Sequence, residues 1–176
     1  MPLREVAHPF LVKLSAATEK TVHLSVLDGL DVIYIDKVES QRTIPIMSRI
    51  GSRAPAYCTG VGKALLSSLP TDQLISLLRE SQLPKRTPNT ITVPIQLLEE
   101  LKMSAERGYT VDNEEHEPGI KCFAAPIRGY GGSCEGAISL TGLKREFDHP
   151  ANCEKMVGLL TKTTAEISRA LGHAEG

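Results

Sequence analysis

A chain of 176 residues with a net charge of −1 is long enough to bury a core of its own, and its near-neutrality excludes the clustered Lys and Arg surface that binding to a phosphate backbone requires. Hydrophobic residues make up 41% and charged residues 23%, an ordinary globular composition, but aromatics are only 4% with no Trp, so the core has to be aliphatic. No apolar run approaches the ~20 residues of a membrane span, no signal peptide is visible, and the four cysteines (Cys58, Cys122, Cys134, Cys153) lack the paired spacing of a metal site, which together points to a reduced, cytoplasmic protein with no membrane partner.

Leu3, Val6, Ala7, Phe10, Leu11 and Leu14 recur at helical spacing, so residues 4–19 are expected to form an amphipathic helix. That helix starts almost at residue 1 without a preceding cap, as a piece of a longer chain would. Val22, Leu24 and Val26 alternate with Thr21, His23 and Ser25, Asp28-Gly29 signals a turn, and Val32–Ile35 is a second β-rich run; the two read as an antiparallel hairpin. His23 falls on the polar phase and reads as a solvated strand histidine. Residues 41–58, with Pro45, Gly51 and Pro55, show little periodicity. Thr59-Gly60 opens a short helix with Val61, Ala64 and Leu65 on one face. A second follows Pro70, with Thr71 as its cap and Leu74, Ile75 and Leu78 inward. Residues 82–91 read as an exposed loop. Pro94 suits the first turn of a third helix, whose apolar face is Leu97, Leu98, Leu101 and Ala105 and whose stop is Gly108.

An acidic, turn-rich loop then runs into a short apolar strand, Gly108 to Pro126, carrying Cys122. Gly129, Gly131 and Gly132 can turn that strand back onto Ala137–Thr141, where period-two alternation puts Ala137, Ser139 and Thr141 on one face and Ile138 and Leu140 on the other. His149-Pro150 opens a final helix lined by Met156, Leu160, Ile167 and Leu171 and ended by Gly172. Helix, hairpin, helices, strand pair, helix is the order of an α+β domain on an antiparallel sheet.

Gly60-Val61-Gly62-Lys63 is not a phosphate loop, which needs Gly at position 57, where Tyr stands, and Ser or Thr at 64, where Ala stands. The N–H groups of a helix starting there can still hold an anion. Cys122 admits three readings: a nucleophile with His116 or His149 as base, a zinc ligand with Asp112, Glu114 or His116, or a small buried hydrophobe. The acidic run Asp112, Glu114, Glu115, Glu117 reads as a solvated loop, with Asp112 as the member able to point inward and accept hydrogen bonds. Ser139 and Thr141 are either exposed or the few convergent polar groups of a mostly apolar pocket.

Taken together, Thr21–Val38, Pro55–Leu66, Gly108–Glu115 with Gly119–Ile127, and Gly136–Gly142 resemble the effector-binding domain of the IclR family of bacterial transcription regulators. The resemblance implies a GAF-like fold, a curved antiparallel β-sheet with helices packed on it, over a single domain spanning 1–176 and ordered over about 4–174. A winged helix-turn-helix would precede it and bind operator DNA as a homodimer or homotetramer. It also implies ligand contacts at Ala54, Gly60, Val61, Asp112, Cys122, Ser139 and Thr141, with Gly60 and Val61 offering N–H groups to a carboxylate and Ser139 and Thr141 donating hydroxyls. Tyr57 stands where the family often has His, which would make the rim larger and less cationic. Thr141 stands where a second Ser is common, narrowing the floor, and Leu143 where Pro often follows Gly142.

The expected function is therefore a non-enzymatic sensor for a small organic acid, such as a sugar acid or related carboxylate, acting as part of a transcription regulator such as a repressor, with no cofactor and no metal required. The alternatives are a cysteine hydrolase built on Cys122 with His116 or Asp112, and a pure oligomerisation module with a vestigial pocket.

Overall fold

The β-rich runs pair into one antiparallel sheet in the computed structural model, which describes residues 2–41 and 46–174; Pro45 of the irregular segment lies outside them. The strands are β1 (Thr21–Asp28), β2 (Asp31–Val38), β3 (Arg53–Pro55), β4 (Thr110–Asn113), β5 (Ile120–Arg128) and β6 (Cys134–Leu143), in the order β3-β2-β1-β6-β5-β4. The sheet curls into a half-barrel, so the expected α+β architecture is what the chain adopts. Register follows from the pleat. Ile138 and Leu140 lie opposite Leu24 and Val22, while Ser139 and Thr141 lie opposite His23 and Thr21.

The two faces are covered differently. Val22, Leu24, Phe123, Ala125, Ile127, Ile138 and Leu140 pack against helices α1 (Leu3–Thr18) and α5 (Pro150–Ala170) through Ala7, Leu11, Leu14, Met156, Leu160 and Ile167. Each fully buried Leu or Ile there contributes about 1.5–3 kcal/mol. The opposite face carries small or polar side chains, and helix α2 (Gly60–Ser67) lies on it, backed by α3 (Thr71–Arg79) and α4 (Pro94–Arg107). Polarity on a strand therefore does not mean solvent here: Thr21, His23 and Ser25 are all buried, and His23 is only 3% exposed. The solvated reading of His23 is overturned because α2 and the segment around Ser48 cover this face.

Helix α2 is capped by Thr59, whose hydroxyl accepts from the Gly62 N–H at 3.2 Å, and Gly60 through Leu66 are buried on every side. Its glycines serve packing. A Cβ on Gly62 would lie 2.2 Å from the Ala56 carbonyl oxygen, and one on Gly60 would lie 2.8 Å from the Cys122 sulfur. Helix α3 departs from expectation: Pro70 occupies the cap position, Thr71 is the first helical residue, and Ile75 is 38% exposed while Leu74 and Leu78 face inward. In α4, Pro94 begins the helix and Gly108 ends it at φ 90°, but Ala105 faces solvent.

The acidic run is not a solvated loop throughout. Lys63 is fully buried, and its Nζ reaches both Glu115 carboxylate oxygens (2.9 and 3.1 Å), the Val111 carbonyl (2.5 Å) and Glu100 (3.4 Å). Glu115 is thereby drawn inside, 6% exposed, and its Oε2 accepts from the Asn113 N–H. Glu114, at φ 56°, accepts from the Gly119 N–H and pairs with Lys144, so of the three glutamates only Glu117 stays exposed. The 82–91 segment is irregular as expected, yet Leu83, Thr87 and Thr90 are buried. Thr87 and Thr90 donate to the Glu114 and Glu115 carbonyls, and Asn89 donates to the Asn113 carbonyl.

Glu115→Gln leaves the buried Lys63 ammonium with only the more distant Glu100 carboxylate, at 3.4 Å, as counter-charge and should destabilise the domain by about 3 kcal/mol, read from urea unfolding. Gly62→Ala meets backbone at 2.2 Å and should cost about 3 kcal/mol or prevent folding. Gly158→Ala, in the exposed middle of α5 with open space at its Cβ, should stabilise by up to about 1 kcal/mol in the same measurement.

Candidate functional site

Between the small-residue face of the sheet and the start of α2 lies a cavity of about 270 Å³. Its floor is Ser139 and Thr141 of β6 with Cys122 of β5 and His23 of β1; Asp112, at the end of β4, forms one wall. The first turn of α2 (Thr59, Gly60, Val61) and Ala54 form the opposite wall, and Tyr34, Ile46, Met47 and Ser48 close another side. His116, Glu117, Ile120, Ser52 and Arg53 stand toward the mouth. The seven residues singled out from sequence (Ala54, Gly60, Val61, Asp112, Cys122, Ser139 and Thr141) all line this one space. Tyr57 does not. It is buried, donates its hydroxyl to the Pro84 carbonyl at 2.5 Å and contacts Arg86, so it ties down the 82–91 segment and is not a rim residue.

Gly60 has no side chain to hold α2 off the sheet, so the helix start comes down onto β5. The Gly60 backbone then lies against the Cys122 sulfur, and among the described residues the Gly60 and Val61 N–H groups of this first turn have no intrahelical acceptor, as helix geometry requires. Thr110 donates to the Gly60 carbonyl at 2.7 Å and fixes the position of this turn. On the floor, Ser139 Oγ lies 3.5 Å and Thr141 Oγ1 3.4 Å from His23 Nδ1, while His23 Nε2 shares a 2.5 Å hydrogen bond with Ser48 Oγ. Lys37, paired with His23 in the hairpin, donates to the Ile46 and Ser48 carbonyls at 2.5 and 2.8 Å and holds that segment over the cavity.

The titratable groups are held neutral or close to it. Burial, reinforced by the Lys37 ammonium, pushes His23 down to about 3, so its imidazole carries no charge at neutral pH. Burial raises Tyr34 and pushes the Cys58 thiol up to about 12. Asp112 is 4% exposed, and burial pushes its carboxyl up to about 7 against the 2.8 Å hydrogen bond its Oδ1 accepts from the Glu115 N–H. Among the described residues lining the cavity the only Lys or Arg is Arg53, which sits half-exposed and pairs with Asp28 and Asp31.

This arrangement does not activate a nucleophile. Burial raises the Cys122 thiol well above its ordinary range, and its side-chain hydrogen-bond partner is Asp112 at 3.5 Å, not a histidine. His116 approaches the other buried cysteine, Cys58, at 3.6 Å. Nor, among the described residues, do three or more His, Cys, Asp or Glu side chains come together as metal ligands would. The residues missed from sequence are His23, Tyr34 and the Ile46–Ser48 segment. The only signal for His23 was its place on the same alternation phase as Ser139, which matters once β1 and β6 are known to be neighbours.

Bacterial transcriptional regulator IclR C-terminal domains match this chain over residues 1–169. The HTH-type transcriptional regulator XynR of Escherichia coli is 34% identical over 171 residues, 97% of this chain and 68% of XynR. The crystal structure of Thermotoga maritima IclR superposes with a TM-score of 0.93 at 40% identity, covering 98% of this chain and 70% of that one. A double mutant of the PobR inducer-binding domain from Acinetobacter, solved with 3-hydroxybenzoic acid, superposes with a TM-score of 0.87 at 29% identity over 96% of this chain and 98% of that one. The chain spans between 50% and 68% of the length of curated relatives it matches. No helix among the described residues is long and apolar enough to cross a membrane. With the family match running along nearly its whole length, the chain belongs to the IclR family of bacterial transcriptional regulators, as the C-terminal domain.

Proposed function

We propose that the domain senses a small organic acid, and that Ala54, Gly60, Val61, Asp112, Cys122, Ser139 and Thr141 contact it. The observation that carries this reading is their convergence on one cavity from four different parts of the chain. Its volume of about 270 Å³ lies just below the roughly 300 Å³ at which drug-sized pockets begin, which suits a small metabolite. The N–H groups at the start of α2 supply the anion site, with the positive end of the helix dipole behind them. Ser139, Thr141 and neutral His23 supply hydrogen bonds for hydroxyl or keto groups at the floor. The 3-hydroxybenzoic acid bound to the PobR domain is a carboxylate with one further polar group, the class this arrangement suits. In the full-length regulator, occupancy here would govern operator binding by an N-terminal helix-turn-helix in a homodimer or homotetramer. A mere oligomerisation module would have no reason to leave this space unfilled and lined with convergent polar groups.

A thermal-shift screen of small carboxylates, 3-hydroxybenzoate and sugar acids included, should raise the melting temperature for at least one, because a ligand binding only the folded state stabilises it by mass action. For that ligand, Ser139→Ala should weaken binding about fivefold by calorimetry, one neutral hydrogen bond's worth, with little change in stability; equal affinity in both proteins removes Ser139 from the site. Iodoacetamide at pH 7.5 should leave Cys58 and Cys122 unmodified in the native domain and label only Cys134 and Cys153, as mapped by mass spectrometry, because both buried thiols are held above their ordinary range.

A further inference from the structure

We infer that Asp112 meets the effector's carboxylate as a neutral acid and donates the hydrogen bond between them, so that binding brings a proton onto the protein; this role rests on the carboxylate reading above. The geometry begins at one sulfur atom. Cys122 Sγ packs against Gly60 at the start of α2 and lies 3.5 Å from Asp112 Oδ2, and all three residues line the one cavity, so an anion seated on the first turn of α2 sits beside the Asp112 carboxyl. Asp112 Oδ1 is committed to the Glu115 N–H, whereas among the described residues Oδ2 has only the weak thiol donor.

Among the described residues that line the cavity, none is a cation placed to offset a second negative charge. Lys63, behind Asp112 on α2, draws the Asp112 carboxyl down, but its ammonium is given to Glu115, Val111 and Glu100, and burial together with the charge of the Glu115 carboxylate outweighs it. Tyr34 of β2, His23 of β1 and the Cys122 and Cys58 thiols around it are uncharged. At the mouth, burial lowers His116 toward its neutral form, Glu117 is acidic, and Arg53 is tied to Asp28 and Asp31. Two carboxylates side by side in such a space do not both stay ionised. One proton taken from solvent onto Asp112 removes the repulsion and turns it into a charge-assisted O–H···O⁻ bond. Burial already holds that carboxyl up at about 7, so near neutrality the proton comes at little cost. An ionised Asp112 would select a cation or a hydroxyl donor; the neutral acid selects an acceptor, which is what a carboxylate is.

The test is Asp112→Asn, which keeps the oxygen that accepts from Glu115 and replaces the acid with a permanent neutral donor. With 3-hydroxybenzoate as probe, calorimetry at pH 8 in phosphate and in Tris should show uptake of about one proton by wild type and none by the variant. Wild-type affinity should fall roughly tenfold per pH unit above 7, while Asp112→Asn binds at pH 8 as tightly as wild type or more tightly. Weaker binding by Asp112→Asn, or the same pH dependence in both proteins, overturns the role of Asp112 and leaves the carboxylate reading standing. If 3-hydroxybenzoate does not bind, the carboxylate that gives the largest thermal shift takes its place as probe, and if none of the screened carboxylates, sugar acids included, binds either protein between pH 5 and 8, the carboxylate reading falls, and the inference with it. Without any ligand, a carboxyl raised on folding binds its proton in the native state where the unfolded chain has lost it. Wild type should therefore lose melting temperature relative to Asp112→Asn as pH rises from about 4 to about 7 and hold level above. A difference that stays constant over that range shows Asp112 ionised throughout and removes the inference whatever binds.

Discussion

The buried pair between Lys63 and Glu115 is the interaction on which the site's geometry depends. An ion pair inside a protein adds little net stability, because both charges give up water, but losing one partner is costly. Its value here is positional. Lys63 sits one turn into α2, the helix whose first residues wall the cavity, and its ammonium holds Glu115 and the Val111 carbonyl on either side of Asp112. Glu115, once held, gives its N–H to Asp112 Oδ1 and takes the Asn113 N–H on its own carboxylate. Thr87, Asn89 and Thr90 then clasp the same stretch of backbone from outside. A loop rich in acid and turn residues is thus made rigid, and two walls that come from distant parts of the chain keep a fixed separation.

That rigidity explains why the cavity is suited to recognition more than to reaction. A catalytic cysteine needs a thiol pulled down toward neutrality by a cation or a helix terminus. Cys122 does meet a helix terminus, at Gly60, but burial and the neighbouring Asp112 carboxyl outweigh it. Cys122 therefore acts as a compact, polarizable surface onto which the helix start and the Asp112 carboxyl both close. The same desolvation that silences the thiol also neutralises His23 and lifts Asp112. Away from Glu117 and Arg53 at the mouth, a lining with little fixed charge favours hydrogen-bonded selection among small molecules.

Much of this was legible in the sequence, and at the site what was not has a common physical cause. Strands β1, β2, β5 and β6, the hairpin turn at Asp28-Gly29, the start of α2 after Thr59 and the Gly108 stop follow from local periodicity and backbone preference, and each stands where those rules put it, whereas the short strands β3 and β4 lie in stretches that read as aperiodic or as loop. Outside the site the departures are at helix surfaces, where Ile75 and Ala105 are exposed and Pro70 replaces Thr71 at the cap; at the site they are of polar residues. His23 and Glu115 lie inside and Tyr57 points away from the cavity, because each answers to a partner far along the chain: Ser139 for His23, Lys63 for Glu115, Pro84 for Tyr57. Period-two alternation reveals that a strand has two faces but not that both are covered. The cysteine, the aspartate and the two hydroxyls of the expected site were found through a family resemblance, not through spacing.

A sensor has to do more than bind. A ligand shifts an equilibrium only by the difference between its affinities for two states, so the contacts that join the cavity to the rest of the domain decide what it can transmit. Strand β2 supplies one such join. Lys37 faces the cavity side and holds the Ile46 and Ser48 carbonyls, whereas its neighbour Asp36 faces the other way, 1% exposed, with His8 Nδ1 at 2.6 Å and Arg4 at 3.7 Å on α1. The Lys37 N–H donates to the Asp36 carboxylate at 2.9 Å, beside the register shift between Leu24 and Ser25. A bulge lets a strand change its local twist without unpairing its ends. Adjacent residues of one strand thus hold the segment that covers the cavity and helix α1, so any difference in affinity between two states that involves either would have to be expressed across β2.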